Sequence, residues 1–466
     1  MTSRKEAQIK ALKQRSLLAT SLLGGSLLLT ACGGNGHKST PTVDLTAVRV
    51  IHASADAPKV KIAVDAGLAE GGKNYNYLEN TAVLSRNAGP VDLVVKAQLA
   101  DGTSADVITA KGVNLAADKE YEVFAVGSVG KKTLEPFILA RPDKFNTSNV
   151  RVSVAHLTEA APMVDVYVTA PGANLANSAK LGSFSYKETL GPVEIPAGNY
   201  QIRVTASGST AALYDSGTLS LKAGDDWVAA AVPNVVPTGA ANKSPIGLYL
   251  LNDQTQLFVP SANDGASLRV VHNSADAPAV DIVANNQFAS PLVKNLKFPD
   301  FTGYLTVPAA TYNVKVVAAG TQTAVINADL PLANGANYTV IALDTLAKIS
   351  PLVLADKPRS IATEAQLRAI HGSSLAGLVD VYVTAPGAAI SGVNPAIKNF
   401  AFKADSGYIG LPAGNYSISL TAPGTKNIAL GPLDVSLEAG GIYTVLARDE
   451  VGLGGANVTL LDDFNP

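Results

Sequence analysis

A single cysteine, Cys32, serves a chain of 466 residues, so no intramolecular disulfide can form and no cysteine-based metal cluster can be built. Charged residues make up 16% of the chain, below the usual ~25%. They form no basic stripe of the kind that neutralises phosphates, which argues against a nucleic-acid partner. Aromatics stop at 6%, with one tryptophan, so any core must rest on Val, Leu, Ile and Ala. Apolar residues at the 3.6 spacing of a helical solenoid are missing. Beyond the first thirty-odd residues no run reaches the ~20 apolar residues that a membrane helix needs. No phosphate-cradling glycine loop, dinucleotide fingerprint or acid–base carboxylate pair stands out, and no cofactor is expected.

What is present begins with a leader. Arg4, Lys5, Lys10, Lys13 and Arg15 against Glu6 give residues 1–31 a net charge of +4, and an apolar stretch runs from Ser16 to Leu29. Gly24-Gly25 interrupts that stretch, which has the length of a signal peptide rather than a membrane span. Leu29-Thr30-Ala31-Cys32-Gly33 then resembles the lipobox of bacterial lipoproteins. That resemblance implies cleavage before Cys32, a diacylglyceryl group on its thiol and acylation of the freed amine. Several acyl chains anchor stably where one does not. Gly33 is not the Asp associated with inner-membrane retention, so a Gram-negative source would place the protein at the outer membrane. Asn35 to Thr42 is polar and rich in breakers, as a tether is.

The remainder repeats itself. Val48-Arg49-Val50-Ile51-His52-Ala53-Ser54-Ala55-Asp56-Ala57-Pro58 returns as Leu268-Arg269-Val270-Val271-His272-Asn273-Ser274-Ala275-Asp276-Ala277-Pro278. A second version holds Val164-Asp165-Val166-Tyr167-Val168-Thr169-Ala170-Pro171-Gly172 after His156, and its partner holds Val379-Asp380-Val381-Tyr382-Val383-Thr384-Ala385-Pro386-Gly387 after His371. Four of the five histidines thus occupy one repeat position, 104, 116 and 99 residues apart. Later landmarks keep the register: Pro196-Ala197-Gly198-Asn199-Tyr200, Pro308-Ala309-Ala310-Thr311-Tyr312 and Pro412-Ala413-Gly414-Asn415-Tyr416, with a degraded form near Asn87 to Val91. An aromatic strand follows around Tyr121, Trp227, Tyr338 and Tyr443. Units one and three share one wording and two and four another, as a duplicated domain pair would.

Short strands rich in β-formers, separated by turn signals, predict an all-β protein. We expect four tandem β-sandwich domains, immunoglobulin-like or transthyretin-like, after a cleaved lipoprotein signal peptide. The boundaries read as 1–31 for the leader, 32–45 for the lipidated cysteine and tether, then 46–146, 147–262, 263–360 and 361–466 for the sandwiches. The repeated phrases resemble the bacterial domain of unknown function 4397 family, in the Val-Arg-Val-x-His-x-Ser-x-Asp-Ala-Pro opening, the Val-Asp-Val-Tyr strand and the Pro-Ala-Gly-x-Tyr turn. The resemblance implies exported, envelope-associated proteins and no established reaction.

Candidate chemistry is sparse. His52-Ala53-Ser54-Ala55-Asp56 and its copy at His272 bring three catalytic residue types together. Residues two apart on a strand run parallel rather than converging, so turn bonding by Ser and Asp is the expected role. His52, His156, His272 and His371 fall one to a domain, which leaves each short of partners for a metal. Arg151 with Asp165, Arg269 with Asp281, and Arg368 with Asp380 are expected to pair across adjacent strands, where charge swaps would be nearly neutral. Tyr167 and Tyr382 are candidates for exposed glycan-contacting aromatics, though covering a domain junction or a hairpin neighbour is the more economical role for them. The functional expectation is a noncatalytic envelope lipoprotein, a surface scaffold or interaction module held at the membrane by its lipid and engaging envelope proteins. Binding of cell-surface carbohydrate is the alternative, and a hydrolase using the His-x-Ser-x-Asp segments a third.

Overall fold

A computed structural model describes residues 44–161, 163–235, 243–357, 359–450 and 455–462. Cys32 and the leader lie outside the described residues. Asp44–Pro466 forms one compact unit. Among the described residues the regular structure is β, with three single-turn 3₁₀ segments.

The first sandwich sets the pattern. Strand β1 (Leu45–His52) enters one sheet, the chain crosses to β2 (Val60–Val64) and β3 (Gly67–Leu68) in the other, and β4 (Leu84–Asn87) returns. The hairpin β5 (Gly89–Gln98) and β6 (Ser104–Leu115) completes the second sheet, and β7 (Lys119–Val126) and β8 (Glu135–Pro142) complete the first. The sheet orders are β4-β1-β7-β8 and β3-β2-β5-β6. All neighbours are antiparallel except β1 and β7, which run parallel. Alternation explains the core: Val48, Val50, Ile62, Leu93, Val95 and Val123 point between the sheets, their intervening neighbours away.

The other three sandwiches repeat this, opening with Val150–His156, Ala266–Asn273 and Ala365–His371. The register is the same in each. Val48, Val152, Leu268 and Leu367 lie beside Tyr121, Trp227, Tyr338 and Tyr443, and the four histidines lie beside Ala125, Ala231, Ala342 and Ala447. The second sandwich carries an additional edge strand, Gln256–Val259.

The sandwiches pack in pairs through the outer faces of their first sheets. Ile51, Phe124, Val126 and Leu139 of the first meet Val228, Ala230, Val232, Tyr249 and Leu251 of the second in one buried cluster. Val271, Ile341 and Leu343 of the third meet Ile370, Leu446 and Leu461 of the fourth in another. While the edge strands keep exposed positions, the central strands of each first sheet, β1 and β7 in the first sandwich, are therefore buried on both faces. Burial of each such side chain contributes about 1.5–3 kcal/mol.

Candidate functional site

The repeated histidine ends the opening strand, where the chain crosses between sheets. Its Nε2 faces a carbonyl six residues on in three units and five in the other: Pro58 at 2.9 Å, Ala161 at 2.6 Å, Pro278 at 3.0 Å and Gly377 at 2.8 Å. A carbonyl can only accept, so Nε2 carries the proton and Nδ1 is the bare nitrogen. Burial lowers the pKa of all four, and that of His52 falls to about 4. These are neutral imidazoles that clamp the crossover loop.

The serine and aspartate of the same segments hold a second loop. Asp56 accepts from the Ser54 and Ser128 hydroxyls and from the Val129 and Gly130 amides. Asp276 accepts from the Leu346 amide. The fourth unit reverses the roles: Ser373 and Ser374 donate to Asp449 on the neighbouring strand. Ser54 and Ser274 thus reach an aspartate directly, with the histidine Nε2 facing a carbonyl elsewhere. A nucleophilic triad needs the imidazole between them, and that arrangement is not formed.

The expected Arg–Asp pairs require correction. The opening strand and the one after it belong to opposite sheets of each sandwich, so the two residues never become cross-strand neighbours. The aspartates tie turns in the second sheet. Asp165 accepts from Ser183 and the Gly208 amide, Asp281 from the Asn295 and Gly320 amides, and Asp380 from the Asn399 and Gly424 amides. These bonds hold all three carboxyls below the usual range, Asp165 at about 2, with the Ser183 hydroxyl its largest cause.

The arginines point from the first sheet into the domain junctions. Between sandwiches one and two, Arg49 and Arg141 bond Glu122, and Arg141 and Arg151 share Glu120 and Asp226. Between three and four, Arg368 meets Asp356 and Asp405, each at 2.7 Å, and Arg269 joins through Thr339, whose hydroxyl donates to Asp356. All five arginines are buried. Charge swaps at these arginines are therefore expected to be costly rather than near-neutral, because a reversed charge here would stand desolvated beside its like. Tyr167 and Tyr382 are likewise buried, 7% and 1% exposed, and not available to a glycan.

The sequence did not reveal where the four sandwiches converge. A cleft of about 690 Å³ is lined from the first by Lys59 and Tyr77, from the second by Phe258, from the third by Gly335 and from the fourth by Glu364 and Tyr408, with Arg359 in the final linker. Arg359 closes one side: its Nη1 donates to the Ala55 and Ala57 carbonyls, and its guanidinium lies 5.9 Å from the Tyr77 ring centroid. Burial raises the Glu364 carboxyl, with Arg359 and Lys59 acting against it. Tyr77, its own pKa raised by burial, donates to the Pro233 carbonyl. The cleft offers both charges, amide groups and aromatic faces, which is equipment for holding a polar molecule. Among the described residues no group of three or more His, Cys, Asp or Glu side chains is placed to hold a metal.

No curated protein matches the chain. Among solved structures, the Bacillus anthracis TIE protein is similar at 13% identity over 88% of this chain and 76% of that one, with a TM-score of 0.16. The family described as Domain of unknown function (DUF4397) matches residues 46–167, 168–283, 266–382 and 384–466. The first three stretches each run past one sandwich into the opening strands of the next. With four matches spanning almost everything from residue 46 to residue 466, the chain belongs to the Domain of unknown function (DUF4397) family.

Proposed function

We propose that this protein is a noncatalytic, lipid-anchored interaction module of the cell envelope that takes its partner in the four-domain cleft. The observation that carries the reading is the cleft's composition: residues from four sandwiches converge on one concavity with charged, amide and aromatic groups. Concave sites with a few convergent polar groups are the usual places of binding. The anchor rests on Leu29-Thr30-Ala31-Cys32, and a Cys32→Ser chain is expected to lose metabolic palmitate labelling and membrane fractionation. The noncatalytic part rests on the histidine, serine and aspartate groups being committed to loop clamps.

The test places a photo-crosslinking amino acid at exposed Lys59 in cells, with a control at Val353, which is 43% exposed and outside the cleft. A specific adduct from position 59 that disappears in a Lys357→Glu background is the expected result. Identical adducts from both positions would sink the assignment. Tyr77, Phe258 and Tyr408 favour carbohydrate as a second reading, since sugars pack on aromatic faces. The chain from Asp44 onward, applied to a glycan array, should then show saturable binding that Lys59→Glu removes. No binding at high protein concentration would end that reading.

A further inference from the structure

The four sandwiches are internal controls for one another, and the second differs in a way the others make visible. In the first, third and fourth, the tyrosine beside the opening strand accepts a hydrogen bond from the amide five residues before it: Ala116 to Tyr121, Ala333 to Tyr338 and Glu438 to Tyr443. The second sandwich has Trp227 at that register position. An indole nitrogen donates and cannot accept. The corresponding amide, Lys222, donates to the Asp225 carboxylate instead. The Trp227 Nε1–H is left buried with no partner among the described residues.

Trp227 lines a cavity of about 220 Å³ between the two sheets. Val152, Val166, Val204, Leu219 and Leu248 supply much of the wall, and no charged side chain contributes. Exposed Leu181 also lines it, so the slot is not sealed. The interior of the first sandwich, walled by the equivalent Val50, Ile62 and Leu93, closes to about 10 Å³. An apolar cavity of ~150 Å³ already stays dry and accepts benzene.

We propose that the second sandwich binds a single saturated acyl chain between its sheets, with the carbonyl or carboxyl oxygen accepting from the Trp227 indole. A slot walled by aliphatic side chains of two facing sheets fits a linear aliphatic occupant. The stranded indole donor calls for one oxygen at its end. The chain could come from a free fatty acid or from a membrane lipid, which the test separates.

Trp227 is the sole tryptophan, so indole fluorescence reports on this cavity alone. Titrating the chain from Asp44 onward with laurate is expected to give a saturable blue shift. Vesicles of phosphatidylethanolamine and phosphatidylglycerol form the second arm, and a shift with vesicles alone assigns the acyl source to membrane lipid. Ala231→Leu, which fills the slot, should weaken laurate binding by about tenfold or more. Trp227→Tyr, which restores the residue of the sibling domains, should abolish heat of binding in calorimetry. No saturable change with either probe overturns the proposal. So does unchanged affinity in either variant while its melting temperature and circular dichroism match the parent.

Discussion

A proton added to the buried His52 has no acceptor to meet, and this sets a measurable pH dependence. Nε2–H already faces the Pro58 carbonyl, and Nδ1 is buried without a partner among the described residues. Charging the ring would therefore desolvate a cation and strand a second N–H. The fall from 6.5 to about 4, at ~1.4 kcal/mol per tenfold, corresponds to ~3 kcal/mol when fully expressed. The sign follows from proton uptake. Above the ordinary histidine range both states are neutral and nothing is lost. As the pH falls below it, the unfolded chain takes up a proton that the folded chain refuses, and stability declines until the folded pKa is passed. At about pH 4.5 the loss from His52 alone is ~2.5 kcal/mol. Glu120 acts against it: burial pushes its carboxyl up to about 7, so the folded state gains a proton first and is favoured as the pH falls. The parent's own pH profile is thus a sum of opposing contributions. The clean measurement is the difference between the parent and His52→Gln, whose amide can still reach Pro58 but does not titrate. Urea unfolding of the first domain pair at about pH 7.5 and about pH 4.5 should show the difference changing by ~2.5 kcal/mol in favour of the glutamine. Asp56 and Asp165 titrate below this window. A pH-independent difference, or an NMR titration placing the His52 ring near its ordinary value, would refute the reasoning.

Other substitutions probe the junctions and turns. Asp356→Ala leaves Arg368 and its neighbours in the third and fourth sandwiches without their buried carboxylate, and should cost about 3–5 kcal/mol in chemical denaturation. Tyr416→Phe removes the hydroxyl that donates to the Pro412 carbonyl at 2.7 Å, for a loss of ~1 kcal/mol by the same assay. Gly431 has φ +99°, and a β-carbon there would lie 2.5 Å from the Ile418 carbonyl oxygen. Gly431→Ala should therefore destabilise the fourth sandwich by about 1–3 kcal/mol or more, seen as a lower melting temperature.

Much of the architecture was legible because it is written four times. The recurrence of His52, His156, His272 and His371 fixed the unit, and strand-forming residues between turn signals fixed the class. Partner choice was not legible. Arg368 and Asp380 stand twelve residues apart on consecutive strands, which suggests a hairpin, yet the chain crosses between sheets there and the pair never meets. A crossover loop and a hairpin loop of similar length carry the same turn residues, so local sequence cannot separate them. The dual burial of the first sheet's central strands does leave a trace, since Val270-Val271 and Val50-Ile51 break strict alternation. The cleft leaves none, because Lys59, Phe258, Arg359 and Tyr408 converge only through the docking of whole domains.

The apolar layer between Phe124 and Leu251 has a consequence for how the chain is made. A polypeptide synthesised from its N-terminus completes the first sandwich more than a hundred residues before Leu251 emerges. Until then that sandwich presents a bare hydrocarbon face to its surroundings. Its maturation therefore waits on its successor, and a truncation between the two should yield an aggregating half rather than a smaller working protein. Shortening the chain after the second sandwich leaves no such debt on this face.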